Sequence, residues 1–149
     1  MKKTWLIFCL LILVSVAPGF AQEITVAAAA DLNAALTELG GQFAATSGVQ
    51  VKLSFGASGN LSTQIQNGAP FDLFFSADED YPKQLIEKGL AEKDSLYRYA
   101  IGRLVLWVPS DSTLDIEHKG MQSLLDPSVK KISIANPQHA PYGRAAEAA

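Results

Sequence analysis

The side chains best placed for chemistry in this chain stand in short segments of small residues. Ala30-Asp31 follows the run Ile24-Thr25-Val26-Ala27-Ala28-Ala29, Ala57-Ser58-Gly59-Asn60 follows Val49–Phe55, and Pro141-Tyr142-Gly143 precedes a run of helix formers. None of the three holds a basic residue, Arg144 lying just past the last. Small side chains leave backbone N–H groups open. Where a helix begins, those groups and the positive end of its dipole attract an anion. The combination suits an oxyanion held by neutral dipoles rather than by salt bridges. Ser58 equally suits a plain helix N-cap. It does not sit in a nucleophile elbow, because glycine follows the serine directly in Gly56-Ala57-Ser58-Gly59-Asn60.

Other chemistry is thinly supplied. His118 and His139 are isolated on polar loops, without a partner at metal-ligand spacing, and read as solvated surface residues. An exported hydrolase using Ser58 would need a histidine and an acid around it, and neither histidine lies in a motif that places it there. Asp78-Glu79-Asp80 begins like a calcium loop but lacks the later glycine and glutamate, so first-turn acids of a helix explain it. Asn60-Leu61-Ser62 has the form of a glycosylation sequon.

The elements that must position these loops alternate two hydrophobic periods. Ile24–Ala29 has strand length. Leu32, Ala35, Leu36, Leu39 and Phe43 then recur at helical spacing, with Asp31 where an N-cap belongs and Gly48 closing the unit. Val49–Phe55 alternates as a strand, Leu61 and Ile65 mark a short helix ending near Gly68, and Phe71–Phe75 is a third strand. Ser76–Asp80 and Pro82 open a further helix carrying Leu85, Ile86 and Leu90, with Gly89 as a C-cap position. Strands separated by helices at this spacing predict parallel βαβ units. Tyr97–Val108 reads as a longer strand, with Tyr97, Tyr99 and Trp107 packed on the sheet. Ser110–Lys119 reads as a loop, Met121–Leu125 as a short helix, and Lys131–Ala135 as a strand. Asn136–Pro141 is a loop, and from Tyr142 the residues favour a helix in which the chain stops. The expectation is a C-terminally truncated chain.

Composition narrows the function classes. The 149 residues carry 12 Lys+Arg against 15 Asp+Glu, with one cysteine. Lys2 and Lys3, the apolar run Trp5–Val16 and the small residues Gly19 and Ala21 form a secretory signal peptide, with cleavage expected after Ala21. The run is too short for a membrane span and ends at Pro18-Gly19, and Cys9 lies inside it rather than after it as a lipoprotein signal requires. Removal takes away Cys9, and with it any disulfide, thiolate metal site or cysteine nucleophile. It also leaves 10 basic against 15 acidic residues, an acidic exported protein that argues against a nucleic-acid partner.

Five stretches in order resemble one family. They are Ile24–Leu32, Ser54–Leu61, Gly68–Asp78 (Gly-Ala-Pro-Phe-Asp-Leu-Phe-Phe-Ser-Ala-Asp), Tyr99–Trp107 and Ile134–Gly143. The resemblance is to the molybdate-binding periplasmic proteins of ABC importers. It implies an α/β type II periplasmic binding fold, two lobes with the ligand in the cleft between them. Residues 22–99 would form the first lobe, and residues 100–149 a hinge strand and the start of an incomplete second lobe. It further implies a monomer that captures molybdate or tungstate, uses no cofactor or cation site, catalyses nothing, and delivers its ligand to a membrane permease. Sulfate or phosphonate is the alternative ligand, since sequence does not set cavity radius. By position, Ser58 falls on a serine ligand, Ala30 and Asp31 on first-loop ligand positions, and Tyr142 on a second-lobe position, through its backbone N–H, its hydroxyl or both. Asp31 departs from the family's usual hydroxyl or amide. A carboxylate about 4 Å from each unit of a dianion's charge would cost roughly 8 kcal/mol in all at an effective dielectric near 20. The expectation is therefore that Asp31 turns away to cap its own helix. Family members are roughly twice as long after the signal, so weak oxyanion binding, or none, is expected of this chain.

Overall fold

The computed structural model describes residues 22–149, and the signal-peptide expectation lies outside them. Strand β1 (Glu23–Ala29) is followed by a 3₁₀ turn (Ala30–Leu32) and helix α1 (Asn33–Ser47). Strand β2 (Gln50–Gly56), helix α2 (Ser58–Gln66), strand β3 (Leu73–Phe75) and helix α3 (Asp80–Glu87) complete the first unit. All three strands are parallel in the order β2-β1-β3. β1 is therefore central, and its apolar run is covered on both faces, with Val26, Ala27, Ala28 and Ala29 all buried. Registers run from Glu23 opposite Gln50 to Ala29 opposite Gly56, and from Val26 opposite Leu73 to Ala28 opposite Phe75. Asp72 fastens the loop before β3 to β1, its carboxylate accepting the Thr25 N–H at 2.7 Å.

The helices pack by a different row than the expected stripe. Leu32, Leu36, Gly40 and Ala44 are the partly covered positions of the α1 region, four residues apart, while Leu39 and Phe43 are 56% and 46% exposed. Gly40 faces β2, where a Cβ would make ordinary contact at 3.5 Å with the Val51 and Leu53 side chains. Gly48 ends α1 in the left-handed conformation at φ 74°, as glycine alone does without strain. α2 buries Leu61 and α3 buries Leu85. α3 ends at Glu87, before Gly89, which takes φ 69° in the turn that follows.

The later chain corrects two strand expectations. After a 3₁₀ turn (Lys93–Ser95), Tyr97–Val108 and Lys131–Ala135 join no sheet among the described residues. A strand is defined by its ladder, and neither segment has a neighbour to pair with. Tyr97 and Trp107 are accordingly 80% and 77% exposed rather than packed, whereas Tyr99 meets Phe75 edge-on at 5.5 Å between ring centroids. Helix α4 (Ile116–Lys119), a 3₁₀ segment (Gly120–Leu125) and helix α5 (Pro141–Glu147) are the regular elements of this half.

Candidate functional site

The carboxyl ends of the strands bring the sequence-selected loops together. In the order β2-β1-β3, the connection from β1 to β2 leaves to one side and the connection from β2 crosses back to the other. This is the switch point at which α/β sheets open a crevice. Ala30 and Asp31 leave β1 there, Ala57 and Ser58 leave β2, and Ser76 and Ala77 leave β3.

Ser58 is 1% exposed and its Oγ accepts the Ala77 N–H at 3.0 Å. A hydroxyl carries one hydrogen and two lone pairs, so accepting from Ala77 leaves the hydrogen to be donated. The N-cap alternative is set aside: the capping position is Ala57, and Ser58 is the first residue of α2. Neither histidine takes the place of a catalytic base. His118 pairs with Asp115 at 2.8 Å on the surface, and the hydrogen bond from His139 to this region uses its backbone carbonyl.

That carbonyl brings in the third loop. It accepts the Gly59 N–H at 3.0 Å, so one backbone donor of the second loop is engaged by the segment leading into α5. Glycine is required at this approach, because a Cβ on Gly59 would lie 2.6 Å from the Tyr81 hydroxyl oxygen and 3.0 Å from the His139 oxygen. Two further glycines allow Tyr142 its place: a side chain on Gly102 would overlap the Tyr142 ring, and one on Gly143 would overlap the Ala135 carbonyl.

Asp31 corrects its expectation. It lies within the 3₁₀ turn, and no side chain caps either that turn or α1, whose N-cap position is Leu32. An N-cap needs extended backbone, and the inserted turn places Asp31 where that conformation is lost. Asp31 instead lines a crevice with Ser76, Tyr99 and Tyr142, a lining that does not include Ala30 or Ser58. Burial first, then the charge of Asp31 and a hydrogen bond with it, push the Tyr142 phenol above the ordinary range. Burial first and the Asp31 charge second do the same for Tyr99. Ala30 is exposed at the start of the turn, where N–H groups lack partners within the helix.

Sequence reasoning missed the polar residues that join the two halves of the chain. Of the acids Asp78, Glu79 and Asp80, only Asp80 lies in the first turn of α3. Asp78 receives the Arg144 guanidinium at 2.5 Å and the Tyr81 N–H at 3.3 Å, and Glu79 pairs with Arg98 and with Lys83. Arg144 also donates to the Tyr81 hydroxyl at 3.0 Å and lies 5.3 Å from the centre of that ring. The cation nearest the third loop is thus engaged by a carboxylate. No signal in the sequence pairs residues 66 positions apart. Among the described residues no cluster of three metal-binding side chains occurs.

Residues 24–149 match the family described as bacterial extracellular solute-binding protein. The chain belongs to that family. Within this solute-binding family it is similar to the molybdate-binding protein ModA of Rhodobacter capsulatus, 40% identical over 129 residues covering 87% of this chain and 50% of that protein. It is also 40% identical to the molybdate-binding protein ModA of Azotobacter vinelandii over 126 residues, 85% of this chain and 49% of that protein. The solved periplasmic molybdate-binding protein of Azotobacter vinelandii superposes with a TM-score of 0.75 at 42% sequence identity, over 83% of this chain and 52% of that one. The expected α/β fold of type II periplasmic binding proteins is therefore the fold present here. The chain spans about half the length of the curated relatives it matches.

Proposed function

We propose that this chain is the oxyanion-capturing part of an extracytoplasmic binding protein that takes up molybdate or tungstate and delivers it to a membrane ABC permease. The observation that carries the reading is Ser58. It is a buried serine whose acceptor side is held by Ala77, so that its hydrogen is left for an anion at the crevice where three loops meet. Ala30 and Tyr142 complete the proposed set with backbone N–H groups, while the Tyr142 hydroxyl gives its hydrogen to Asp31. Asp31 stands in the same ring as an acceptor. Engagement of Arg144 by Asp78 leaves neutral donors to face the ligand, which supports selection by cavity size over net charge. Residues 22–99 serve as the first lobe and residues 100–149 begin the second. The names of the relatives support molybdate as ligand and the periplasm as location. Removal of residues 1–21, a monomeric state and binding without catalysis are further parts of the proposal.

Intrinsic Trp and Tyr fluorescence tests this directly. Titration with molybdate and tungstate is expected to give a saturable, if weak, change, and the same concentrations of sulfate and phosphate none. A response to sulfate alone would transfer the assignment to that ligand. No response to any oxyanion would overturn the reading and reopen hydrolysis at Ser58.

A further inference from the structure

We propose that Arg144, Asp78 and Tyr81 form a latch that sets the spacing between the loop carrying Tyr142 and the loop orienting Ser58. In binding terms these three are positioning residues, and that part rests on the oxyanion reading above.

The latch is built from both halves of the chain. Arg144 lies two residues past Tyr142 on α5, while Asp78 and Tyr81 flank the start of α3. The guanidinium meets both first-unit residues at once, at 2.5 Å to the Asp78 carboxylate and 3.0 Å to the Tyr81 hydroxyl. The Asp78 side chain is 19% exposed and that of Arg144 40%, so the pair is partly withdrawn from solvent screening. A planar guanidinium with two fixed partners and an aromatic neighbour transmits orientation, which a lysine ammonium would not.

What the latch positions follows from the bonds on either side. Asp78 also accepts a hydrogen bond from the Ser76 hydroxyl at 3.3 Å, and the next residue, Ala77, holds Ser58 Oγ. The Ser76 carbonyl accepts the Tyr99 hydroxyl at 2.8 Å, which brings the extended segment to the same loop. On the far side, the same approach that seats Arg144 on Tyr81 brings the His139 carbonyl onto Gly59 N–H. Arg98 on Glu79 repeats the scheme one residue along. Adjacent acids of one loop thus each hold an arginine from the later chain. Moving Arg144 displaces the third loop from the Ser58 loop without removing a group that touches the ligand.

The test reads position and ligand release separately. In the full chain with Cys9→Ser, spin labels on exposed Gln64→Cys of α2 and Glu147→Cys of α5 report the spacing of the two loops. A single narrow distance is expected in the parent, and a broadened, longer one in Arg144→Met and in Asp78→Asn. Arg144→Lys, with the charge kept, is expected to broaden the distance nearly as much. Molybdate dissociation followed by stopped-flow fluorescence is expected to quicken about tenfold or more in the same variants, with molybdate's preference over sulfate retained. An unchanged distance in both Arg144→Met and Asp78→Asn overturns the latch. A changed distance with an unchanged dissociation rate confines it to folding and overturns its role in binding. If no variant, the parent included, responds to molybdate, the oxyanion reading fails, while the distances still decide whether the latch exists.

Discussion

At the scale of single residues, the decisive question is what Asp31 does to an anion. Its carboxylate is no helix cap and faces Tyr99 and Tyr142 across the crevice. Among the described residues it forms no ion pair, so its charge opposes a dianion bound nearby, while exposure weakens the opposition relative to a buried charge. Replacing the carboxylate with a neutral group removes that repulsion whichever side chain follows. Asp31→Asn and Asp31→Ala are both expected to bind molybdate at least about tenfold more tightly, a difference of roughly 1.4 kcal/mol. Titration of the two variants beside the parent checks this. A tenfold loss in both would mean that Asp31 serves the site by orienting Tyr142. The sequence marked Asp31 as anomalous, but its backbone conformation, which decided between capping and facing the ligand, was set by a 3₁₀ turn that no residue pattern announced.

At the scale of elements, the βαβ half was legible because each strand and helix is stabilised by neighbours within the described chain. Ile24–Ala29 reads as a strand and is one, buried from Val26 to Ala29, because β2 and β3 flank it. Tyr97–Val108 has the same apolar character and forms no strand, since pairing is a property of two segments and a pattern describes one. The α1 stripe was misjudged for a related reason: Gly40 carries no hydrophobic signal, yet it lies on the face turned to Val51 and Leu53 of β2. Glycine also separates two element-level outcomes. Gly59→Ala drives a methyl toward the Tyr81 hydroxyl and the His139 carbonyl and is expected to destabilise by about 1–3 kcal/mol through overpacking. Gly41→Ala, in the interior of α1 with nothing within 4 Å of the added Cβ, is expected to stabilise by up to about 1 kcal/mol. Urea midpoints of both variants against the parent measure the contrast. A Gly59→Ala midpoint equal to the parent's would show that the two loops do not meet as closely as the structure has them.

At the scale of the whole molecule, charge connects the pieces and sets how the chain responds to acid. Asp72, Asp115 and Asp126 all have carboxyls held below their ordinary value of 3.8, and Glu79 below 4.5. The largest cause is a hydrogen bond in each: from the Thr25 N–H to Asp72, from His118 to Asp115, from the Ser128 N–H to Asp126, and from Lys83 to Glu79. A carboxyl depressed by folding binds its proton more weakly in the folded than in the unfolded chain. Its contribution is therefore fully present above the unfolded value and is lost as pH falls through the folded one. Lys83 has the opposite sign: raised above 10.5, mainly by its hydrogen bond with Glu79, it contributes below that value and loses the contribution as pH rises past it. Stability of the described chain is thus expected to decline below about pH 4 as these carboxylates protonate. Asp72 isolates one part of the decline, because it ties the β3 loop to the central strand through Thr25. Asp72→Asn is expected to lower the urea midpoint at pH 7, where the parent carboxylate is charged. The deficit should shrink as pH falls below the ordinary carboxyl range and through the depressed folded value of Asp72. Midpoint profiles of parent and variant that stay parallel across that range would show that Asp72 acts through packing and not through its charge.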